Sequence, residues 1–255
     1  MMKLFVISDI HSYYDEMIDA LHKAGFDKDN LEHWLIGCGD YIDRGPKPKE
    51  VIDYLMALPR KVLVRGNHED LLEELCERER PYQHDLHNGT LQTVMKLGEP
   101  DEYATIPGFC RTTLTNTQEF RESLVDYFET QNYIFVHSWI PLLRELVSFR
   151  YEGRVYSRSV YEDWRKAPMI EWLEARWGNP YEYAHQGLLP DKTIVFGHWN
   201  TSWPRARYEG QEEFGPNADF SPYYGKGYVG LDACTATTKI VNVLVLEDEF
   251  MEQVR

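Results

Sequence analysis

Short apolar runs recur along this chain, and each ends in a cluster of polar residues. Leu4-Phe5-Val6-Ile7 is a compact, partly β-branched run that predicts a buried strand, and it runs out into Asp9-Ile10-His11. From Tyr14 to Ala24 the spacing becomes helical and stops at Gly25, a residue suited to a helix C-terminus. His33-Trp34-Leu35-Ile36 predicts a second strand, leading into Gly39-Asp40-Tyr41-Ile42-Asp43-Arg44-Gly45. Lys49 to Leu58 is amphipathic and stops before Pro59, so a helix follows. Lys61-Val62-Leu63-Val64 is then a third strand, emptying into Gly66-Asn67-His68-Glu69. This strand–loop–helix rhythm predicts an α/β fold with its ligand site at the strand exits.

Leu71 to Glu79 continues as a charged helix and Gln118 to Phe128 predicts another, while Asn88-Gly89 and Pro100 to Pro107 read as irregular. The region around 70–130 is therefore expected to be a helical and loop insertion, either a roof over the site or plain filler. Further on, Tyr133-Ile134-Phe135-Val136 predicts a strand ending at His137-Ser138, and Tyr161 to Trp177 an aromatic-rich helix. Thr193-Ile194-Val195-Phe196 predicts a strand ending at Gly197-His198, and Gly225 to Asp232 with Ile240 to Leu246 a terminal strand pair. With no repeat or linker in evidence, a single domain over 1–255 is expected.

Composition narrows the partners. The 27 Lys+Arg against 42 Asp+Glu give a formal charge of −15, which argues against a broad nucleic-acid or anionic-membrane surface. A local cationic pocket for a phosphoester remains compatible with that field. The first apolar run is too short for a signal peptide or a membrane span. Cys38, Cys76, Cys110 and Cys234 are scattered, so buried free thiols and a cytoplasmic location are expected.

The polar clusters carry metal-ligand chemistry. In an extended exit segment alternate side chains point the same way, so Asp9 and His11 are expected to face one cation. Asp40 offers two oxygens and can bridge, Asn67 offers an amide oxygen, and His137 and His198 offer imidazole nitrogens at two further strand ends. A mixed oxygen and nitrogen set suits manganese, iron or zinc better than calcium. His22, His33, His84, His87 and His185 fit no such pattern and read as surface or hydrogen-bonded core residues.

In this order, Asp-x-His, GDxxDRG and GNHE, followed by His137 and Gly197-His198, the motifs resemble the calcineurin-type metallophosphoesterases. Within them the chain is most similar to bacterial and phage relatives of the Ser/Thr phosphoprotein phosphatases. The resemblance implies a two-sheet β-sandwich flanked by helices, a four-layer α/β/β/α arrangement. It implies two divalent metal ions, manganese first, with iron, zinc or a mixed pair as alternatives. Asp9, His11 and Asp40 would hold one ion, and Asp40, Asn67, His137 and His198 the other. It further implies in-line attack on phosphorus by a metal-bridging hydroxide. His68 would be the general acid, Asp43 its orienting partner, and Arg44 a phosphate fork. A second phosphate-binding arginine is assigned to Arg176, with Arg165 as the fallback.

Four residues depart from the pattern: Ser12 follows the Asp-x-His motif where glycine is common, Ser138-Trp139 follow His137, and Asn200 stands where phosphodiesterase-like members often have a second histidine. The expected substrate is a phosphorylated peptide or protein, or a small phosphoester. Hydrolysis of bis(5′-nucleosyl)-tetraphosphate is the alternative, and a non-catalytic metal-binding scaffold a remote one. Most of the C-terminal tryptophans read as packing; Trp199 and Trp203, flanking a ligand on a loop, are the exceptions expected to meet substrate.

Overall fold

Alternation along the first strand sets the layering of the molecule. The computed structural model describes residues 2–150 and 153–250. In β1 (Met2–Ile7), Leu4 and Val6 point one way and Phe5 and Ile7 the other, and all four are fully buried. A strand buried on both faces needs a layer on each side. Leu4 and Val6 pack with Ile36, Val64, Phe135, Val195 and Val229 in a core between two sheets. Phe5 and Ile7 pack with Leu35, Met17, Val51, Leu55 and Leu72 under a helical layer.

The chain builds these layers in order. After β1 come α1 (Tyr14–Lys23), β2 (His33–Gly37), α2 (Pro48–Ala57), β3 (Lys61–Val64) and α3 (Asn67–Arg78). Four shorter helices follow: α4 (Gln83–Asn88), α5 (Thr90–Leu97), α6 (Ile106–Asn116) and α7 (Gln118–Ser123). Strands β4 (Leu124–Val125), β5 (Phe128–Glu129), β6 (Tyr133–Phe135), β7 (Leu142–Arg150) and β8 (Gly153–Val160) lead into α8 (Met169–Ala175) and α9 (Pro180–His185). The chain closes with β9 (Thr193–Phe196), α10 (Ser202–Glu209), β10 (Tyr223–Gly225), β11 (Tyr228–Gly230), α11 (Thr235–Thr238) and β12 (Leu244–Asp248).

One sheet has the order β12-β1-β2-β3-β4, with β1 to β4 parallel and β12 antiparallel at the edge. The second has the order β10-β11-β9-β6-β5, with β11, β9 and β6 parallel. Its outer face carries Ile134, Ile194 and Phe196 against Trp139, Trp172 and Tyr181 beneath α8 and α9. Two sheets face to face with helices outside both make the expected four-layer α/β/β/α sandwich. No helix among the described residues is long and apolar enough to cross a membrane.

Several local expectations fail for identifiable reasons. Asn88-Gly89 is a junction between helices, where Gly89 takes a positive φ of 82° that lets α4 turn into α5. The Gln118 helix ends at Ser123, because Leu124 and Val125 pair with Leu63 and Val64 at the edge of the first sheet. The Tyr161–Trp177 stretch is interrupted by Pro168, leaving a 3₁₀ turn over Trp164–Lys166 and then α8. The two C-terminal strands do not pair: β11 joins β9 in the second sheet, whereas β12 joins β1 in the first. All four cysteines are free, and Cys234 is only half-buried.

Candidate metal centre

Four of the ligand-type residues, Asp9, His11, Asp40 and His198, sit on left-handed turns at strand exits, whereas Asn67 opens helix α3 and His137 lies just past β6. Asp9, His11 and Ser12 after β1, Asp40, Asp43 and Arg44 after β2, and His198 after β9 all have φ between 50° and 70°. Non-glycine residues rarely adopt this left-handed region, and each costs of order 1 kcal/mol or more. The expected alternation of an extended segment is therefore replaced by a left-handed turn: His11 groups with Asp40 and His68, whereas the Asp9 carboxylate turns to the Ser8 hydroxyl and the His198 backbone N–H. Ser12, at φ 63°, occupies the conformation in which glycine is the easy choice.

Two glycines are there because their neighbours leave no room. A Cβ on Gly66 would lie 2.2 Å from Asp40 Oδ1, and one on Gly39 would lie 2.6 Å from His137 Nδ1.

The side chains converge as two groups that share Asp40. His11, Asp40 and His68 present ligand atoms within 4.8 Å of one another, and so do Asp40, His137 and His198. Asp40 Oδ2 lies 3.7 Å from His11 Nε2, and Oδ1 lies 3.3 Å from His137 Nε2. Oδ1 also accepts the His68 backbone N–H. One carboxylate thus faces both groups, as a bridging ligand would.

The second group passes a direct test of fit for a cation. His137 Nδ1 faces the carbonyl oxygen of Cys38 at 2.8 Å, so Nδ1 carries the proton and Nε2 a lone pair. That lone pair lies 2.8 Å from Asn67 Oδ1, and His198 Nδ1 lies 2.9 Å from the same oxygen. Burial, then His137, pushes the His198 imidazole down to about 3, and burial also lowers His137, so both rings are neutral near pH 7. Acceptor atoms aimed at one another inside a protein are costly unless a cation lies among them. In the first group His11 Nδ1 donates to the Ile42 carbonyl, which likewise leaves Nε2 with its lone pair facing inward.

Asp9 is buried, takes the Ser8 hydroxyl at 2.6 Å and accepts the His198 backbone N–H. Burial first, then Asp232 and Asp40, holds its carboxyl well above the ordinary carboxylate range, a setting that a cation would relieve. Asp232 is the residue that sequence reasoning passed over. It lies just past β11, is buried, and is raised to about 6 by that burial. The rule that found Asp9 and Asp40, a carboxylate at the exit of an apolar run, applies to it equally.

Asp43 and Arg44 flank His68, a member of the first group. His68 Nδ1 bonds Asp43 Oδ2 at 2.8 Å, and the Thr90 hydroxyl donates to the same oxygen at 2.6 Å. Burial alone would lower the His68 imidazole, but the Asp40 charge and the Asp43 hydrogen bond outweigh it and raise it. Arg44 reaches His11 Nε2 at 2.6 Å and His68 Nε2 at 3.1 Å, so its guanidinium spans the mouth of the first group.

The other arginines are placed differently. Arg176 is buried and clamped, with Nε and Nη2 on Asp70 at 2.7 and 3.3 Å and Nη1 on Asp126 at 2.7 Å. Arg165 forks onto Glu129 at 2.8 and 2.6 Å. Trp199 and Trp203 meet each other edge to face and pack, partly buried, against the second-sheet core. Trp177 is the tryptophan at the mouth: it is 49 % exposed, and its ring centroid lies 6.2 Å from that of His198.

With this geometry in place, the comparison with known proteins has one outcome that decides. The profile of the calcineurin-like phosphoesterases matches residues 2–219. The chain belongs to that family. It is similar to the symmetrical bis(5′-nucleosyl)-tetraphosphatases of Escherichia coli, 41 % identical over 69 residues, and of Buchnera aphidicola, 39 % identical over 69 residues. In each case the match covers 27 % of this chain and only 24 % of the relative. Among solved structures, one provisionally assigned as a diadenosine tetraphosphatase superposes with a TM-score of 0.54 at 15 % identity, covering 98 % of this chain and 95 % of the other. A cold-active protein tyrosine phosphatase gives 0.54 at 15 % identity, covering 97 % and 74 %. At that identity the two structures speak for the shared fold alone. The match to the calcineurin-like phosphoesterases spans the strand exits that carry both groups of candidate ligands.

Proposed function

We propose that this calcineurin-like phosphoesterase removes phosphoryl groups from phosphoserine or phosphothreonine in peptides. The observation that carries this reading is the Asp43–His68 pair set beside two ligand groups that share Asp40. Asp9, His11 and Asp40 would hold one divalent cation, and Asp40, Asn67, His137 and His198 a second, manganese being the first choice for loading. When bound, the ions would acidify the attacking water and brace the phosphoryl oxygens.

The chain's own residues supply the remainder. Asp43 holds the His68 ring by Nδ1, which turns Nε2 toward the centre, and the Asp40 charge with the Asp43 hydrogen bond raises the imidazole, favouring its protonated form. A protonated Nε2 and the Arg44 guanidinium then present donors to one space, an arrangement suited to the ester and phosphoryl oxygens of a substrate. His68 delivers its proton to the departing serine or threonine oxygen, which leaves far more readily as an alcohol than as an alkoxide. Arg176 stays with Asp70 and Asp126, and Arg44 carries the phosphate contact.

A second reading, hydrolysis of a dinucleoside polyphosphate, is favoured by the short match to the tetraphosphatases. The deciding measurement compares kcat/KM of the manganese-loaded protein on a phosphothreonine peptide and on diadenosine tetraphosphate. We expect the peptide to be preferred; preference for the dinucleotide would replace the proposal with the second reading.

A further inference from the structure

Helix α3 begins at the metal centre and continues along a different feature. Asn67 and His68 stand at its first turn. Farther along, Asp70, Glu73, Glu74 and Glu77 line a cavity of about 1040 Å³, completed by Met169 and Leu173 of α8 and by the segment from Leu124 to Glu129. Arg176 ties the cavity to the centre: its guanidinium lines the cavity, and the next residue, Trp177, hydrogen-bonds His198 through its backbone. The volume is at the upper end of small-molecule clefts and far exceeds what a phosphoryl group needs.

The charges in this cavity fall into two sets. Arg65 is spent on Asp70 and Glu73, Arg176 on Asp70 and Asp126, and Glu129 is held by Arg165 and Lys192. Glu74 and Glu77 are exposed, and neither pairs with a cation among the described residues. Across from them Met169 is 74 % exposed, one helical turn from Leu173. The cavity thus joins an open acidic wall to an open apolar one.

We propose that this cavity binds the stretch of substrate peptide next to the phosphorylated residue, and that it selects a stretch carrying cationic side chains with an apolar one among them. The proposal rests on the phosphopeptide reading above and names the sequence class that reading leaves open. Helix geometry gives the register. Glu74 and Glu77 lie roughly 10 and 15 Å along α3 from Asn67, distances an extended peptide covers in about three and about five residues. Arginines three and five positions from the phosphothreonine therefore meet the two carboxylates. A polyphosphate laid along the same wall would meet like charge instead.

The test uses phosphothreonine peptides with arginine, or with glutamate, three and five positions from the phosphothreonine, on either side of it. The readout is the ratio of kcat/KM for the arginine and glutamate peptides within each protein. Two exposed ion pairs predict a wild-type ratio of about fivefold that shrinks with added salt and disappears or inverts in the E74K/E77K double variant. Equal rates for the two peptides, or a ratio untouched by E74K/E77K, would overturn the inference while leaving the phosphatase reading intact. A labelled unphosphorylated arginine peptide, followed by fluorescence anisotropy at low salt, reads the cavity without turnover. If it binds wild type and not E74K/E77K although no phosphopeptide is hydrolysed, the cavity assignment holds and the catalytic reading fails.

Discussion

At the scale of single residues, the site sets His68 at the shared Asp40 with Arg44 beside it, and ties Arg176 into a separate ion-pair cluster. His68 is held at one nitrogen by Asp43, with Asp40 close to the other, so replacing it should cost rate and not binding of metal. H68N is expected to lower kcat about 10²- to 10⁴-fold on alkyl phosphates and less on esters with good leaving groups, with metal content unchanged. An equal loss on both substrate types would remove its role as the acid. Arg44 and Arg176 should part company as well. R44A should raise KM by about tenfold or more, because it removes charged hydrogen bonds to phosphate. R176A should first appear as about 1–3 kcal/mol of lost stability in urea denaturation, because it leaves the buried Asp70 with only the 3.4 Å contact to Arg65. The candidate ligands could be picked out of the sequence because each is a distinctive residue type near the end of an apolar run. Arg176 could not, since nothing in a linear sequence tells a phosphate fork from a guanidinium already clasped by Asp70 and Asp126.

At the scale of elements, strands whose neighbours are near in sequence could be read and pairings made over long distances could not. β1, β2 and β3 announce themselves by run length and β-branching. The edge strand β12 was read a few residues early and with the wrong partner, since its residues alternate in burial and β1 lies at the other end of the chain. Asp248 fixes that edge. Its carboxylate accepts from the Thr130 hydroxyl at 2.7 Å, the Asn132 backbone N–H at 3.0 Å and the Asn132 amide at 2.8 Å, tying β12 to the turn between β5 and β6. Burial alone would raise this carboxyl, but the Thr130 and Asn132 hydrogen bonds win and lower it. A carboxylate held below its unfolded value stabilises fully above about pH 4, and that contribution fades as pH falls through the lower folded value. D248N should therefore cost about 1–3 kcal/mol at pH 6, and its deficit should narrow below about pH 4. Urea melts of both proteins at the two pH values check the direction, and a deficit that widens in acid would mean the carboxylate is not the source.

At the scale of the whole molecule, the candidate ligands come from both sheets. Asp9 and His11 follow β1, Asp40 follows β2 and Asn67 follows β3 in one sheet, whereas His137 follows β6 and His198 follows β9 in the other. Cations bound among them would staple the two layers at the end where the left-handed turns and the facing lone pairs concentrate unfavourable energy. The unfolded chain cannot assemble this set, so metal binding should appear as folding stability. At a hundredfold excess of free manganese over Kd the gain is about 2.7 kcal/mol, which for a chain of this size raises Tm by roughly 5–10 °C. D40N removes the charge both ligand groups share and should abolish most of that shift, along with full occupancy by two ions in metal analysis. A Tm that ignores manganese and chelator in the wild type, while activity still requires metal, would place the ions on one sheet alone and break the link between Asp40 and the second group. A shift preserved in D40N would show instead that each group binds its ion without the shared carboxylate.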